Sequence, residues 1–593
     1  LSKLYSDLNT IEDEVLNYEA MGKALTLLKN ENNLIPLKTK SIIGHIAIGD
    51  DSGEVFENHL RKYNSIKRIN NITSINVLEK TINLDTLIVS FHRSNATPWK
   101  ASGFSSEEIK IISKLANNKT LILDLFVKPY ALSALESIKG IDVLLLSYQN
   151  SKASQKQSVD GLFGAQRLNG SLPVDVSESY QEGAGIDQNI IYRTGYASAI
   201  SLGFDSNKLN SIDELAQAAI DSIMTPGMRV LLLRKGKIFY DKNFGYHTYE
   251  KKRKVQSSDL YDLASLTKIL GTLPLVIKAV GDKEIILDTS IGDLIPEWIE
   301  SNKASISLKK MLSHQARLFP WIPFYKETLN PKGYPMRSMY REKTSKNFSL
   351  PVSSELYLKS DFEEDMYDQI KKSILLEDGA SKYSDLPYYI LKKYFEKTSG
   401  KKYKDLIQEN IFNPLGLERI TYQPLQHFLK EEIVPSEVDT YFRHSKLHGY
   451  VHDMGAAMQE GVGGHAGLFG DAYSVASIMQ MYLQGGSYNG INLLDRGVIN
   501  KFNKCYYCNL GNRRGIGFDK PQIEGKHQST CGCVSKNSFG HSGYTGTYAW
   551  ADPDKEIIIV ILANRTYPKD DLTFSKSNIR TRIQEIVYEA LIK

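Results

Sequence analysis

The sequence predicts two folded units in tandem, an α/β domain followed by an α+β domain. Three observations predict it. Residues 1–200 alternate short β-rich runs with helix-like segments, the arrangement of a parallel sheet with covering helices. Residues 183–207 are largely polar and carry Gly183, Gly185 and Gly203, the character of a junction. Beyond it a strand pair comes first and further strands come last, with a long helix-rich stretch between them. A sheet split by a helical insertion is an α+β architecture.

Each element follows in order. A polar helical pattern over 12–30 stops at the turn signal Asn30-Glu31-Asn32-Asn33. Strands are expected at 43–48, 86–91, 120–126 and 141–147, and helices at 105–116 and 130–138. Neither a G-x-G-x-x-G nor a P-loop occurs here. The predicted boundaries are 1–184 for the first domain, 185–207 for the linker and 208–593 for the second. A helix at 210–223 leads to strands at 228–234 and 237–245, joined as a hairpin at Lys235-Gly236. The basic cluster 251–254 reads as a solvated tip. Helices dominate 264–485, and an insertion around 320–380, rich in Tyr, Pro, Lys and Glu, is expected at a cleft rim. Strands at 548–552 and 556–564 and a helix at 577–591 close the chain.

Composition narrows the class of function. With 41% hydrophobic and 24% charged residues over 593 positions, the chain is neither disordered nor collagenous nor a disulfide miniprotein. Its 73 basic and 68 acidic residues nearly cancel, leaving +5, so bulk charge makes no case for nucleic acid. The longest apolar runs, 230–233 and 557–563, are strand-length, far below the ~18 residues of a membrane span. The chain starts at Leu1 without a signal-peptide pattern and reads as processed or cut from a longer protein.

The chemistry begins at Leu263-Ala264-Ser265-Leu266-Thr267-Lys268, ahead of a helix-compatible run. At a helix start, positions i and i+3 share a face, so Ser265 and Lys268 adjoin. A serine hydroxyl is a weak nucleophile until a base takes its proton, and a lysine held partly neutral by burial or a neighbouring cation is such a base. The helix N-terminus offers N–H groups to a developing oxyanion. S-x-x-K also begins at Ser307 and Ser399, so this spacing alone is weak. Two further pieces follow in order: Tyr383-Ser384-Asp385 before a helical run, and His541-Ser542-Gly543-Tyr544 leading into a strand.

Those three motifs resemble the serine β-lactamase and penicillin-binding protein superfamily, in its class C-like branch of esterases, D-amino-acid peptidases and muropeptide amidases. The segments Asn413-Pro414-Leu415-Gly416-Leu417, Gly463-Gly464-His465-Ala466-Gly467 and Gly515-Ile516-Gly517-Phe518-Asp519 are similar as well. The resemblance implies an antiparallel sheet flanked by helices with a helical subdomain. It implies Ser265 as acylated nucleophile, Lys268 as its activator and Tyr383 as partner base and acid, the phenol pKa lowered by nearby cations. The N–H groups of Ser265 and Tyr544 would form the oxyanion hole, with Gly543 between His541 and Tyr544. No catalytic cofactor is implied.

Two departures matter. Asp385 stands where the family usually has Asn, and an ionised carboxylate donates no hydrogen bond to a substrate carbonyl. His541 stands where β-lactamases usually have Lys, and histidine is mostly neutral at pH 7. Both fit esterase, peptidase or amidase branches better than an efficient β-lactamase. His314, His452 and His465 read first as buried structural histidines, with His465 the best candidate to line the cleft. Cys505, Cys508, Cys531 and Cys533 are the only cysteines, clustered just before the His541 strand. They suit either a structural tetrahedral zinc or two disulfides.

The first domain carries Gly22-Lys23-Ala24-Leu25-Thr26-Leu27-Leu28-Lys29-Asn30-Glu31-Asn32-Asn33-Leu34-Ile35-Pro36-Leu37, then Gly161-Leu162-Phe163-Gly164-Ala165 and Asn169-Gly170-Ser171-Leu172-Pro173-Val174. It resembles the second, α/β-sandwich domain of glycoside hydrolase family three, in its β-N-acetylglucosaminidase branch. That resemblance implies a preceding catalytic barrel as the missing partner, and peptidoglycan fragments as the shared substrate. The expected substrate is a small molecule: a muropeptide, an ester or a D-amino-acid compound. The leading expectation is a serine hydrolase of the bacterial periplasm or envelope that cleaves a muropeptide amide or a D-amino-acid bond. A broad carboxylesterase with weak β-lactamase activity and a non-catalytic muropeptide-binding module stand beside it.

Overall fold

The computed structural model describes residues 10–38, 41–94, 103–377, 381–523 and 529–592; the chain start at Leu1 and residues 378–380 of the 320–380 insertion lie outside them. The chain divides into two compact units, Leu1–Phe204 and Asp205–Lys593.

The first unit is built on β1 (Thr26–Asn30), β2 (Ile43–Gly49), β3 (Ile66–Arg68), β4 (Thr86–His92), β5 (Thr120–Phe126) and β6 (Val143–Leu146), in the order β1-β6-β5-β4-β2-β3. β2 to β6 pair in parallel and β1 lies antiparallel beside β6. The central strands are apolar on both faces. Val89, Leu121 and Leu123 pack with Ile111, Ile112 and Leu115 of the helix Ser106–Ala116. Ile88, Ile122 and Phe126 pack on the other face with Phe56, Val159 and Leu162 of the helices Glu54–Leu60 and Lys152–Leu162. Strands buried on both faces are the mark of a parallel sheet between helix layers.

Two local expectations change, and one strand was not expected. The pattern over 12–30 is a helix only at Ile11–Ala24, opened by a capping box between Thr10 and Asp13. Leu25 and Leu27 are then fully buried, and the chain continues as β1. Pairing with β6 decides this, and local periodicity carries no signal for it. The helix expected at 130–138 is a 3₁₀ segment, Pro129–Leu135. The three-residue β3 has no sequence signal of its own.

The second unit is built on β7 (Gly227–Arg234), β8 (Lys237–Gly245), β9 (Phe539–Ser542), β10 (Tyr548–Asp552) and β11 (Ile557–Ala563). They run antiparallel in the order β9-β10-β11-β7-β8. Lys235 and Gly236 turn the β7–β8 hairpin with φ of 50° and 74°, the left-handed pair that a tight hairpin demands. The terminal helices Ser206–Asp221 and Ile579–Ala590 pack on each other, burying Ile212, Leu215, Ile583 and Val587. The helix Ala472–Leu483 lies on β7, β10 and β11. The middle of the unit is not wholly helical. Tyr261–Asp262, Leu468–Gly470 and Ile420–Tyr422 form a small sheet, and Tyr340–Arg341, Leu356–Leu358 and Leu350–Ser353 form another inside the insertion.

Candidate active site

The strand Tyr261–Asp262 delivers the chain to Ser265. Buried Asp262 accepts the Ala264 amide at 2.9 Å and the His452 amide at 2.6 Å. Burial pushes its pKa up to about 6. Ala264 is held at φ 46°, a conformation that a residue with a side chain adopts at a cost. The turn presents Ser265 ahead of a π-helical turn, Lys268–Thr272, that continues as the helix Leu273–Gly281.

Lys268 is fully buried. Its Nζ lies 2.7 Å from Ser265 Oγ, 3.1 Å from the His465 carbonyl oxygen and 2.8 Å from Asp385 Oδ1. The Tyr383 hydroxyl stands 3.1 Å from Ser265 Oγ. The structure therefore brings Ser265, Lys268, Tyr383 and Asp385 into one cluster. Its electrostatics correct two expectations. Burial opposes the Lys268 cation, but Asp385 and Tyr383 together outweigh it, and the lysine pKa is raised rather than held near neutrality. The Tyr383 phenol is raised as well: burial is the largest cause, and the Asp385 charge adds to it against the pull of Lys268. Asp385 contributes to both shifts, and an asparagine there would bring no charge.

The third motif lies on β9 and the turn after it. His541 Nδ1 is 2.8 Å from the Ser542 carbonyl, so it carries the proton, and the buried Nε2 is left as an acceptor with no hydrogen-bond partner among the described residues. Burial, with Lys268 and Arg514 adding to it, pushes its pKa down to about 3. Gly543 donates its amide to Thr547 O at 2.8 Å, and a Cβ there would lie 1.9 Å from Thr547 Oγ1 and 2.7 Å from Leu263 O. Thr545 and Thr547 donate their hydroxyls to the carbonyls of Asp262 and Leu263 at 2.7 and 3.1 Å. The oxyanion turn is thus bonded directly to the segment that carries Ser265. Tyr544 is half exposed; its hydroxyl donates to Asp570 at 2.5 Å and its ring lies under Arg565. Among the described residues the amides of Ser265 and Tyr544 donate to no protein acceptor.

The three histidines are buried. His465 is a support behind the lysine: Nε2 is 2.8 Å from Asp453 Oδ1, its ring stacks on Tyr389 at 4.4 Å, and its carbonyl holds Lys268. His314 accepts the Ser384 amide through Nδ1 at 3.1 Å and packs on the Tyr383 ring at 4.6 Å. His452 Nε2 is 3.5 Å from Glu437 Oε2; burial pushes the histidine down to about 4 and the carboxyl up to about 7.

Sequence reasoning missed Arg514. Its guanidinium carbon sits 5.0 Å over the Tyr383 ring. Asp519 lies 2.9 Å from Arg513 but 3.8 Å from Arg514 Nη1, which is buried without a hydrogen bond. The signal available was the pair Arg513-Arg514 immediately before the family-like segment 515–519.

The four cysteines do not converge on one point. Cys505 is bonded to Cys508 and Cys531 to Cys533. Among the described residues no three His, Cys, Asp or Glu side chains are placed to hold a metal ion. No helix among those residues is long and apolar enough to cross a membrane.

A serine hydroxyl between an ammonium and a phenol, beside two unengaged amides, is equipped for acyl transfer. Residues 212–580 match the model of the Beta-lactamase family. A Salmonella enteritidis PT4 protein named "Putative D-alanyl-D-alanine carboxypeptidase" is 28% identical over 397 residues, covering 63% of this chain and 86% of its own length. The equally named Salmonella typhi protein matches to the same extent. Among solved structures, a penicillin-binding protein homolog from Caulobacter crescentus covers 66% of this chain and 99% of its own, with 17% identity and a TM-score of 0.47. A family VIII carboxylesterase covers the same shares with 15% identity and a TM-score of 0.45.

Proposed function

The chain belongs to the beta-lactamase family through residues 212–580 and is a serine hydrolase; on that footing we propose that it cleaves an amide of peptidoglycan-derived muropeptides through an acyl-enzyme on Ser265. The observation that carries the acyl-enzyme is Ser265 Oγ held between Lys268 Nζ at 2.7 Å and the Tyr383 hydroxyl at 3.1 Å. Ser265 attacks the carbonyl carbon, and the amides of Ser265 and Tyr544 receive the oxyanion. Tyr383 and Lys268 return a proton to the leaving nitrogen, and water releases the acyl group.

Several observations support an amide over a β-lactam. Neutral His541 replaces a fixed cation, and Asp385 offers an acceptor where a substrate carbonyl would need a donor. Arg514, with an unbonded Nη1, supplies a cation for a substrate carboxylate. The name of the Salmonella relatives refers to a peptide bond between D-amino acids. The first unit, with its parallel sheet between helices and the motifs quoted above, supports a glycoside hydrolase family three sandwich domain. On that reading the parent enzyme pairs this hydrolase with a β-N-acetylglucosaminidase barrel and works in the bacterial envelope. The second reading, a broad carboxylesterase, is favoured by the neutral third motif.

Intact-mass spectrometry after incubation with a fluorophosphonate, beside Ser265→Ala, tests the nucleophile. Incubation with N-acetylmuramyl-L-alanyl-D-isoglutamine tests the substrate. An adduct on the unsubstituted protein alone, with free N-acetylmuramic acid appearing, is the expected result. An adduct without sugar release moves the assignment to the esterase or a D-amino-acid peptidase. No adduct leaves a binding module.

A further inference from the structure

We infer that Asp385 is the terminal acceptor of a proton relay, taking through Lys268 the proton that Ser265 gives up as it attacks. This rests on the acyl-enzyme reading above. An ammonium has three N–H donors and no lone pair. Lys268 Nζ donates to Ser265 Oγ at 2.7 Å and to the His465 carbonyl at 3.1 Å, and Asp385 Oδ1 stands against it as an ion pair at 2.8 Å. Of these acceptors only the carboxylate can keep a proton. The His465 oxygen belongs to a peptide bond, and Ser265 Oγ is the reacting atom. A lysine that is to receive the Ser265 proton must release one of its own, and Asp385 is the acceptor in contact with it.

The step balances. The Ser265 O–H bond breaks while an Oγ–C bond forms to the substrate carbonyl carbon, whose π pair moves onto its oxygen. One N–H bond forms at Lys268 as another breaks, and an O–H bond forms at Asp385. The negative charge has then moved from Asp385 to the oxyanion. When the intermediate collapses, the proton returns through Lys268 to the leaving nitrogen. An asparagine at this position has no such capacity.

The neighbours suit the task. The rings of Tyr383 and Tyr388 stand 5.2 and 5.4 Å from Lys268 Nζ. The Arg514 guanidinium carbon is 5.0 Å from the centroid of the Tyr383 ring. Burial holds His314 and His541 well below the ordinary histidine range, so neither competes as a cation. Asp453, the remaining carboxylate at this end, is engaged by His465 at 2.8 Å and by the Ala456 amide at 2.7 Å. The Asp385 side chain is 20% exposed as a whole, but the Oδ1 that faces Lys268 is buried.

The test is the pH dependence of single-turnover acylation by p-nitrophenyl acetate, with fluorophosphonate labelling of Ser265 read by intact mass. The full chain is compared with Asp385→Asn and Asp385→Glu. Asparagine is isosteric and is the usual family residue, so a purely structural role predicts that it acylates normally. The relay predicts acylation slower by ~10²-fold or more, within the span of general-base effects. Its acid limb would move from the carboxylate range to the alkaline range of Lys268 and Tyr383, and Asp385→Glu would regain the carboxylate limb with part of the rate. Asp385→Asn acylating at the unsubstituted rate with an unmoved profile overturns the relay. Should the asparagine variant fail to fold, judged by its melting curve, the glutamate profile decides: loss of the carboxylate limb overturns the relay. An unlabelled Ser265 in the unsubstituted protein removes the acyl-enzyme reading and the relay together. A labelled one with an unaffected asparagine variant removes the relay alone.

Discussion

Asp385 puts a charge where an amide is usual, and its effects reach the lysine and the phenol on either side of Ser265. Lys268 becomes a fixed cation and Tyr383 stays protonated. Arg514 then carries the cation best placed for an anionic substrate group, since Asp519 lies closer to Arg513. Arg514→Gln should lower kcat/KM for peptides with a free carboxylate by ~10-fold or more, the scale of one charge-assisted hydrogen bond, and affect a neutral ester less. Steady-state kinetics on the two substrates check it. His541 supplies a pH prediction. Its pKa falls from 6.5 in the unfolded chain to about 3 in the fold, so the unfolded state binds the proton first. Stability should therefore fall as pH drops from about 6.5 towards about 3, and the rate should show no limb from this residue near neutrality. His541 ring-proton shifts followed by NMR across that window check the assignment.

Between residues and fold stand the turns, and here the third motif is specified by space as much as by chemistry. Gly543 lies where any Cβ would meet Thr547 and the Leu263 carbonyl. Gly543→Ala should cost about 1–3 kcal/mol, as overpacking does, and slow acylation, because the displaced turn carries the Tyr544 amide. Chemical denaturation and burst kinetics measure the two effects. The hairpin turn Lys235-Gly236 was legible because only certain residues accept left-handed backbone. The cysteine loop was not, since four thiols in two short motifs fit zinc and disulfides equally until their positions are known. With each pair bonded locally, a metal chelator should leave the melting temperature unchanged, and thiol titration of the unreduced, denatured protein should find none.

At the scale of the molecule, each unit has central strands buried on both faces. The first holds an acid within its core: Asp124 on β5 is fully buried, and the Ser147 hydroxyl donates to its Oδ1 at 2.6 Å. Burial pushes its pKa from 3.8 up to about 7. Here the folded state binds the proton more tightly, so stability is greatest below about pH 4 as far as this group is concerned and is lost as pH rises towards about 7. Asp124→Asn should flatten that slope and stabilise the first unit above neutrality. Urea unfolding of the full chain at an acid and a neutral pH, followed by hydrogen exchange in β4 and β5, reads the difference.

What the sequence determined by itself was whatever local rules dictate. Runs such as 86–91 and 120–126, apolar at every turn of a two-residue period, announce strands buried on both faces. Three short motifs in fixed order announce a serine acyltransfer site, because each places a chemically required group at a strand or helix end. The tertiary structure decided what depends on neighbours far along the chain. It made Thr26–Asn30 a strand by pairing it with β6. It placed Asp385 against Lys268, buried Tyr383 beside them, and brought Arg514 over the phenol. It joined the cysteines two by two. Burial, pairing and long-range charge are properties of three-dimensional proximity, and no periodicity or spacing in the sequence encodes them locally.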